Sequence, residues 1–423
     1  MKKNVSSILV LVMALVLMLN FFGCEKLKVS NLKANYQLKK ANKFYTEEKY
    51  KDAYKAYEKA LELNPKLESI YIYLGTSYSS LYRPMKTGDR NKMYGEKAVE
   101  YLLKAKEYDP ENENVTIALG DIYDKMGDFE QAEKYYLEIL EKAKDDPKSY
   151  YTLASFYSKN SKPDSADEMY RKRIELEPEN PEGYHYYVGF LQDQRRWSDA
   201  ITAHEKRLYA MLDPDIVKTM LEIEKLQNET VEVKKIVDLM EKIKKNKRVD
   251  QAEKQRLLDE SKQKLEGKLL PEEAEKKIEE LNKTLKEQIK LAEATIDGMD
   301  EQKKQQIAEA YYSIGNVCWN WSYQTHQDYM SAQERDPIIE KGIECLKKAI
   351  KIAPDYPNPY SYIGLLYREK IKVEPLKSEE YIKLNNEYNK KFMNIYKRRQ
   401  KSEAFRKELE EMGKEGDEEV GGE

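Results

Sequence analysis

The sequence predicts an all-α, helical-repeat superhelix in which a long charged helical segment separates two repeat blocks. Three observations carry this expectation. Of the 423 residues 36% are charged, 40% are hydrophobic, and only 17 are Gly and 14 Pro. A typical globular chain is about 25% charged and richer in Gly and Pro, so thin helical architecture fits better than one large core with many β-turns. The second observation is a spacing of 7 and then 5 residues, which recurs in Ala53, Ala60 and Pro65, in Ala98, Ala105 and Pro110, in Ala166, Arg173 and Pro178, and in Gly342, Ala349 and Pro354. The third is an apolar residue followed by Gly or Ala with an aromatic or Cys three positions on: Leu74-Gly75 with Tyr78, Leu119-Gly120 with Tyr123, Leu153-Ala154 with Tyr157, Ile314-Gly315 with Cys318, and Ile363-Gly364 with Tyr367.

The N-terminus reads as an export signal. Lys2 and Lys3 precede an apolar run from Ile8 to Leu19, too short to span a membrane and right for a signal-peptide core. Gly23 before Cys24 resembles a bacterial lipobox, with Phe21 standing where that pattern usually has Leu. Residues 1–23 are therefore expected to be removed and Cys24 lipidated, with 24–33 as a linker. The alternative is an uncleaved anchor from Val5 to Gly23. Either way the remainder is expected outside the cytoplasm, in the bacterial cell envelope, facing the periplasm or the exterior.

The repeat positions have a physical logic. A small residue after the apolar one lets two helices approach, because a larger side chain would hold their backbones apart. The aromatic three residues later fills the space between helices, and Ala53 and Ala60 lie two turns apart on one helical face. Each Pro stops a helix pair by lacking a backbone donor and restricting the residue before it. One pair cannot bury its apolar face alone, so neighbours must stack. Lys40, Leu74, Leu119, Leu153 and Tyr187 are 34, 45, 34 and 34 residues apart. This pattern resembles the tetratricopeptide repeat family, over roughly Ala34 to Leu212 and Ala308 to Tyr396. It places repeats 1–5 at 34–213 and repeats 6–7 with a capping helix at 306–400. The 34 tyrosines are expected mainly to pack between helices.

Two insertions depart from the repeat, between Tyr78 and Ala98 and between Cys318 and Gly342. Extra length there is expected to project from the stack. The second carries Trp319, Trp321 and Tyr323 beside His326, an aromatic patch that is either a partner anchor or the packed face of a longer helix. Residues 214–305 differ in kind. From Asp215 to Gln305 there is no aromatic residue, and 22 acidic and 21 basic residues dominate. Apolar stripes such as Val233, Ile236, Met240 and Ile243 mark helices, with breaks at Asn246–Asp250 and Gly267–Pro271. These helices are either degenerate repeats or a coiled-coil arm. The acidic end, 401–423, is expected to be disordered.

Reaction chemistry is scarce. The three His, at 185, 204 and 326, have no metal-ligand spacing, and there is no Cys-x-x-Cys, phosphate loop or nucleophile elbow. No metal, no cofactor, no small-molecule substrate and no catalytic residue are expected. The 74 basic residues nearly cancel 77 acidic ones, which argues against a nucleic-acid partner for the whole chain. Cys318 and Cys345 are expected as free thiols, with a disulfide as the alternative.

The expected function is a membrane-tethered scaffold that binds a protein partner of the cell envelope. A structural spacer or an assembly factor of an outer-membrane, secretion or pilus complex is the alternative. What the resemblance implies is that the first helix of each pair lines a concave groove. The groove residues are then Leu38, Asn42, Tyr45, Ile72, Thr76, Ile117, Asp121, Tyr151, Ser155 and His185, flanked by Ser79, Asp124 and Ser158. Apolar anchors Ile72, Ile117 and Tyr151, and hydrogen-bonding Asn42 and Asp121, suit an internal extended or helical segment.

Overall fold

Regular structure is entirely helical among the residues that the computed structural model describes, which are 29–246, 250–325 and 328–420. The expected signal, Cys24 and His326 lie outside the described residues. No described helix is long and apolar enough to cross a membrane. The chain divides into two compact units, Met1–Met169 and Tyr170–Glu423.

The first unit contains α1 (Val29–Thr46), α2 (Tyr50–Leu63), α3 (Tyr71–Leu81), α4 (Asp89–Tyr108), α5 (Glu113–Met126), α6 (Phe129–Lys142) and α7 (Pro147–Lys159). α8 (Pro163–Leu176) carries the boundary. Helices pair as α1 with α2, α3 with α4 and α5 with α6, and each second helix packs on the next first helix. Short polar caps start several of them: Asn112 accepts from Val115 N, Asp128 from Gln131 N, and Asp146 from Lys148 N ahead of Pro147. Pro65 and Pro110 stand two residues past the ends of α2 and α4, as their spacing predicts.

Ala53, Ala60, Leu74, Ala98, Leu102 and Leu119 are fully buried in one cluster. A Leu buried this way stabilises by about 1.5–3 kcal/mol. Gly75 shows why the following position must be small: a Cβ there would sit 2.5 Å from Leu102 Cγ on the partner helix. Gly315 meets Leu346 Cγ at the same 2.5 Å. The tyrosines pack as expected and also satisfy their hydroxyls. Tyr78 donates to Glu58 Oε1 (2.6 Å) and Tyr157 to Glu133 Oε1 (2.7 Å).

The first insertion is accommodated in two parts, a loop at 82–88 and extra turns at the start of α4. Asn91, buried on α4, organises the loop by accepting from Arg83 N (2.9 Å) and donating to the carbonyls of Arg83 (2.9 Å) and Lys86 (2.8 Å). The backbone of Gly88 at φ 122° belongs to glycine's range.

The second unit contains α9 (Pro181–Asp193), α10 (Trp197–Leu212), α11 (Pro214–Lys245), α12 (Gln251–Leu265), α13 (Pro271–Thr295), α14 (Glu301–Gln324), α15 (Ala332–Ile352), α16 (Asn358–Val373) and α17 (Ser378–Val420). The pairs are α9 with α10, α14 with α15, and α16 with α17. Tyr184 and Tyr360, each six residues past a repeat proline, donate to the carbonyls of Pro178 (2.7 Å) and Pro354 (3.0 Å), so the turn into each first helix is tied by the same bond.

α10 packs directly on α14, so the repeat stack passes over the charged segment and α11–α13 form an excursion from it. α11 packs against both α12 and α13, and Lys234–Glu275 (2.8 Å) and Lys277–Glu222 (3.0 Å) cross between α11 and α13. The buried face of α11 ends at Val233. At the root, Glu293 on α13 accepts from Tyr311 on α14 (2.5 Å) and from Lys348 on α15 (2.8 Å).

Two local expectations change and a third holds. The second insertion lengthens α14 and α15, which pack closely on each other, so much of the added chain extends the helix pair. α17 runs to Val420, through most of the segment assigned to a disordered tail at 401–423, where Lys, Arg and Glu are strong helix formers. Cys318 and Cys345 are separate buried thiols and make no disulfide. Burial pushes the Cys318 thiol up to about 12 and that of Cys345 up as well, which keeps both protonated and unreactive.

Candidate protein-interaction surfaces

In the first unit the first-helix positions named above lie exposed or half-buried, except Ser79, which is buried, while the intervening Leu74, Leu119 and Leu153 are buried. Period 3.6 produces this division: residues two and five beyond the packing Leu turn away from the partner helix. Neighbouring first helices are joined along this row. The Tyr45 hydroxyl and Thr76 Oγ1 are 3.2 Å apart, and Asn160 at the end of α7 donates to Asp124 on α5 (2.8 Å). Lys125 Nζ reaches Ser79 Oγ at 3.5 Å. Leu38 and Ile72 pack partly into the core, leaving part of each side chain to solvent. Ile117, Tyr151 and Ser155 are half-buried.

Asn42 and Asp121 are already engaged. Asn42 Oδ1 accepts from the Tyr57 hydroxyl (2.8 Å), and Asp121 Oδ1 accepts from Tyr136 (2.7 Å). Both bonds span 15 residues and repeat one device, a second-helix tyrosine held by a first-helix acceptor. The Asn42 amide and the second Asp121 oxygen remain for a partner. His185 belongs to the second unit, where it is exposed and stands edge-on to Tyr186. Burial, and then the charge of Arg207, hold its imidazole below the usual range.

The aromatic patch divides. Trp319 and Tyr323, four residues apart on α14, stack at 5.1 Å, and the edge of Tyr362 meets Trp319 at 5.3 Å. Trp321 points elsewhere, because residues two apart on a helix do not share a face. Trp319 and Tyr323 line a cleft of about 460 Å³ with Leu365, Arg368 and Lys372 of α16 and with Ile382 of α17. The last four were not singled out in the sequence, although the repeat register contains the signal. Ser79 lies five positions after Leu74, Trp319 five after Ile314, and Arg368 five after Ile363. The patch therefore occupies the same first-helix face as the first unit's row.

A second cleft of about 530 Å³ lies between α8–α10 and α11 within the second unit, with Tyr184, Tyr187, Lys206 and Glu224 in its wall. Lys206 and Glu224 form an ion pair at 2.5 Å. Among the described residues, no group of three His, Cys, Asp or Glu is placed to hold a metal ion.

Stacked helix pairs with small residues at their crossings and prolines after most second helices define a helical-repeat protein of the tetratricopeptide class. Residues 95–155 and 147–180 each match a model described as tetratricopeptide repeat, and the chain is a tetratricopeptide repeat protein. Its repeats make it a scaffold for protein–protein interaction. No curated protein matches the chain. Among solved structures, the MamA protein is 19% identical over 42% of this chain and 91% of its own, with a TM-score of 0.34. A tetratricopeptide repeat protein from Parabacteroides merdae is 11% identical over 79% of this chain and 99% of its own, at 0.35. TTC0263, a tetratricopeptide protein of Thermus thermophilus, is 22% identical over 38% and 99%, at 0.26.

Proposed function

We propose that this chain is a membrane-tethered scaffold of the bacterial cell envelope that holds a segment of a partner protein against the first helices of its repeats. The observation that carries the binding half is the continuous first-helix row from Tyr45–Thr76 to Asp124–Asn160, which leaves Ile72, Ile117 and Tyr151 partly open to solvent. Half-open apolar side chains on a rigid, hydrogen-bonded base suit hot-spot anchoring, since they lose little conformational entropy on binding. Truncating Ile117 and Tyr151 together to Ala is expected to weaken capture of the partner, identified by crosslinking in the native envelope, by about tenfold or more. Helical content should be unchanged, and Ala at Glu138 and Lys172 on second helices should leave capture intact. Equal capture by both pairs of variants would move the site elsewhere.

The tethering half rests on the charged start, the apolar run and Gly23-Cys24. Multiple acyl chains anchor durably where a single one does not. Cys24→Ala is expected to abolish incorporation of labelled lipid and block processing of the signal. A lipid-labelled mature species in that variant would sink the tether. The spacer alternative draws on the α11–α13 excursion, whose root is fixed by Glu293.

A further inference from the structure

We propose that the cleft between α14, α16 and α17 docks an acidic segment of a partner protein through one aromatic or branched apolar anchor; this rests on reading the repeats as a protein-binding scaffold. The cleft, about 460 Å³, is of a size to take one such side chain and its neighbours. Its apolar wall is prepared: Trp319 is fixed by stacking on Tyr323 and by the edge of Tyr362, while Leu365 and Ile371 are half-buried. Tyr323 and Ile382 nevertheless leave 59% and 48% of their surfaces to water.

Charge specifies the occupant. Glu369 is buried, and its carboxylate is taken up by Lys372, at 2.7 and 2.8 Å, with Arg335 at 4.0 Å. Lys372 is thereby neutralised, and it also lies 5.7 Å from the centre of the Tyr323 ring. Arg368 is exposed and makes no ion pair with any described residue, which leaves the rim positive. At the equivalent positions of the first unit, Ser79 and Asp124 are hydrogen-bonded to neighbouring helices, whereas Trp319 is held by ring packing and Arg368 has no ion pair with a described residue. A guanidinium with no internal partner beside an open apolar wall complements a carboxylate next to an apolar side chain. RNA fits less well. A strand needs several free cations along its backbone and open aromatic faces, while here, among the described residues lining the cleft, Arg368 is the cation without an ion pair and Trp319 is covered by Tyr323.

The test uses the full chain and fluorescein-labelled, end-blocked peptides followed by anisotropy. The probes are Glu-Asp-Phe-Glu-Asp, Lys-Lys-Phe-Lys-Lys and Glu-Asp-Ser-Glu-Asp, with pentauridylate as the nucleic-acid arm. Binding of the acidic Phe peptide alone is expected. Arg368→Glu should weaken it by about tenfold or more and admit the lysine peptide, and Trp319→Ala should abolish the preference for Phe over Ser. Arg368 is exposed, so its variant should keep wild-type circular dichroism. No binding of the acidic Phe peptide, equal binding of both charges, indifference to Arg368→Glu, or uridylate bound in its place would each overturn the proposal. If it fails while Ile117 and Tyr151 variants still lose partner capture, the scaffold reading stands and only this docking site falls.

Discussion

Arg335→Met is expected to cost the second unit about 3–5 kcal/mol of stability, because it removes two buried charge-assisted hydrogen bonds and weakens a buried ion pair. Arg335 is buried near the start of α15 and donates through Nη1 to the carbonyl of Ser322 and through Nη2 to that of Thr325 (2.9 Å). Those carbonyls belong to the end of α14, where the last turn has no intrahelical donors, so the guanidinium caps the helix that carries Trp319 and Tyr323. It also faces buried Glu369. Met fills the space but leaves both carbonyls without the guanidinium and leaves Glu369 to Lys372 alone. Lys keeps a charge yet cannot fork to two carbonyls, so Arg335→Lys should recover only part of the loss. The three tryptophans, at 197, 319 and 321, all lie in the second unit, so tryptophan fluorescence during urea unfolding reports on that unit alone. Lys372 still holds the Glu369 carboxylate in the single variant, so adding Glu369→Leu to Arg335→Met should restore little. A loss below about 1 kcal/mol in the single variant would mean that water or rearrangement satisfies the site.

The apolar half of the repeat packing was legible in the sequence and the polar half was not. Leu74, Leu119, Ile314 and Ile363 are buried where the repeat spacing puts them, and Gly75 and Gly315 make the close approaches expected of them. Spacing works there because a helix crossing demands a particular size at a particular turn. Arg335, Glu369 and Lys370 are equally buried, but a charged residue in a chain this charged gives no sign of whether it faces solvent or a carbonyl. Arg173 makes the point within the repeat itself. It stands where other units have Ala, yet it is buried, lies 5.1 Å from the centre of the Tyr186 ring and comes within 3.7 Å of Glu182. The excursion of α11–α13 was legible as helices and breaks, and its placement was not, because only the α10–α14 contact reveals that the stack closes over it. Of the candidate surfaces, the positions of the first unit's row follow from register. Leu365 and Arg368 obey the same register one block later, hidden by the longer connection before them.

Lowering the pH from 7 to about 4.5 is expected to weaken the second unit through His204 by roughly 1.4 kcal/mol per pH unit below about 6.5, or about 2–3 kcal/mol in all. His204 is buried on α10, its Nδ1 has no hydrogen-bond partner, and burial, then the positive charges of Arg207 and His185, push its imidazole down to about 3. A folded-state value below the unfolded one means that the unfolded chain binds the extra proton. Stability is thus full above the unfolded value near 6.5 and is lost as pH falls toward 3. Other groups also titrate in this range, so the comparison must be internal. His204→Leu removes the proton site and, because Nδ1 bonds to nothing, strands no partner of that atom; its cost at pH 7 should be small. Urea midpoints read by tryptophan fluorescence should converge as the pH drops, with the variant equal to or more stable than the natural chain at pH 4.5. Parallel pH curves for the two proteins would place the acid-sensitive proton elsewhere. The consequence is local to the repeat stack, since α10 is the helix on which α14 packs when the chain returns from its charged excursion. Protonating His204 would weaken the second unit and leave the core of the first unit, built on Leu74, Leu102 and Leu119, at its neutral-pH stability toward this proton.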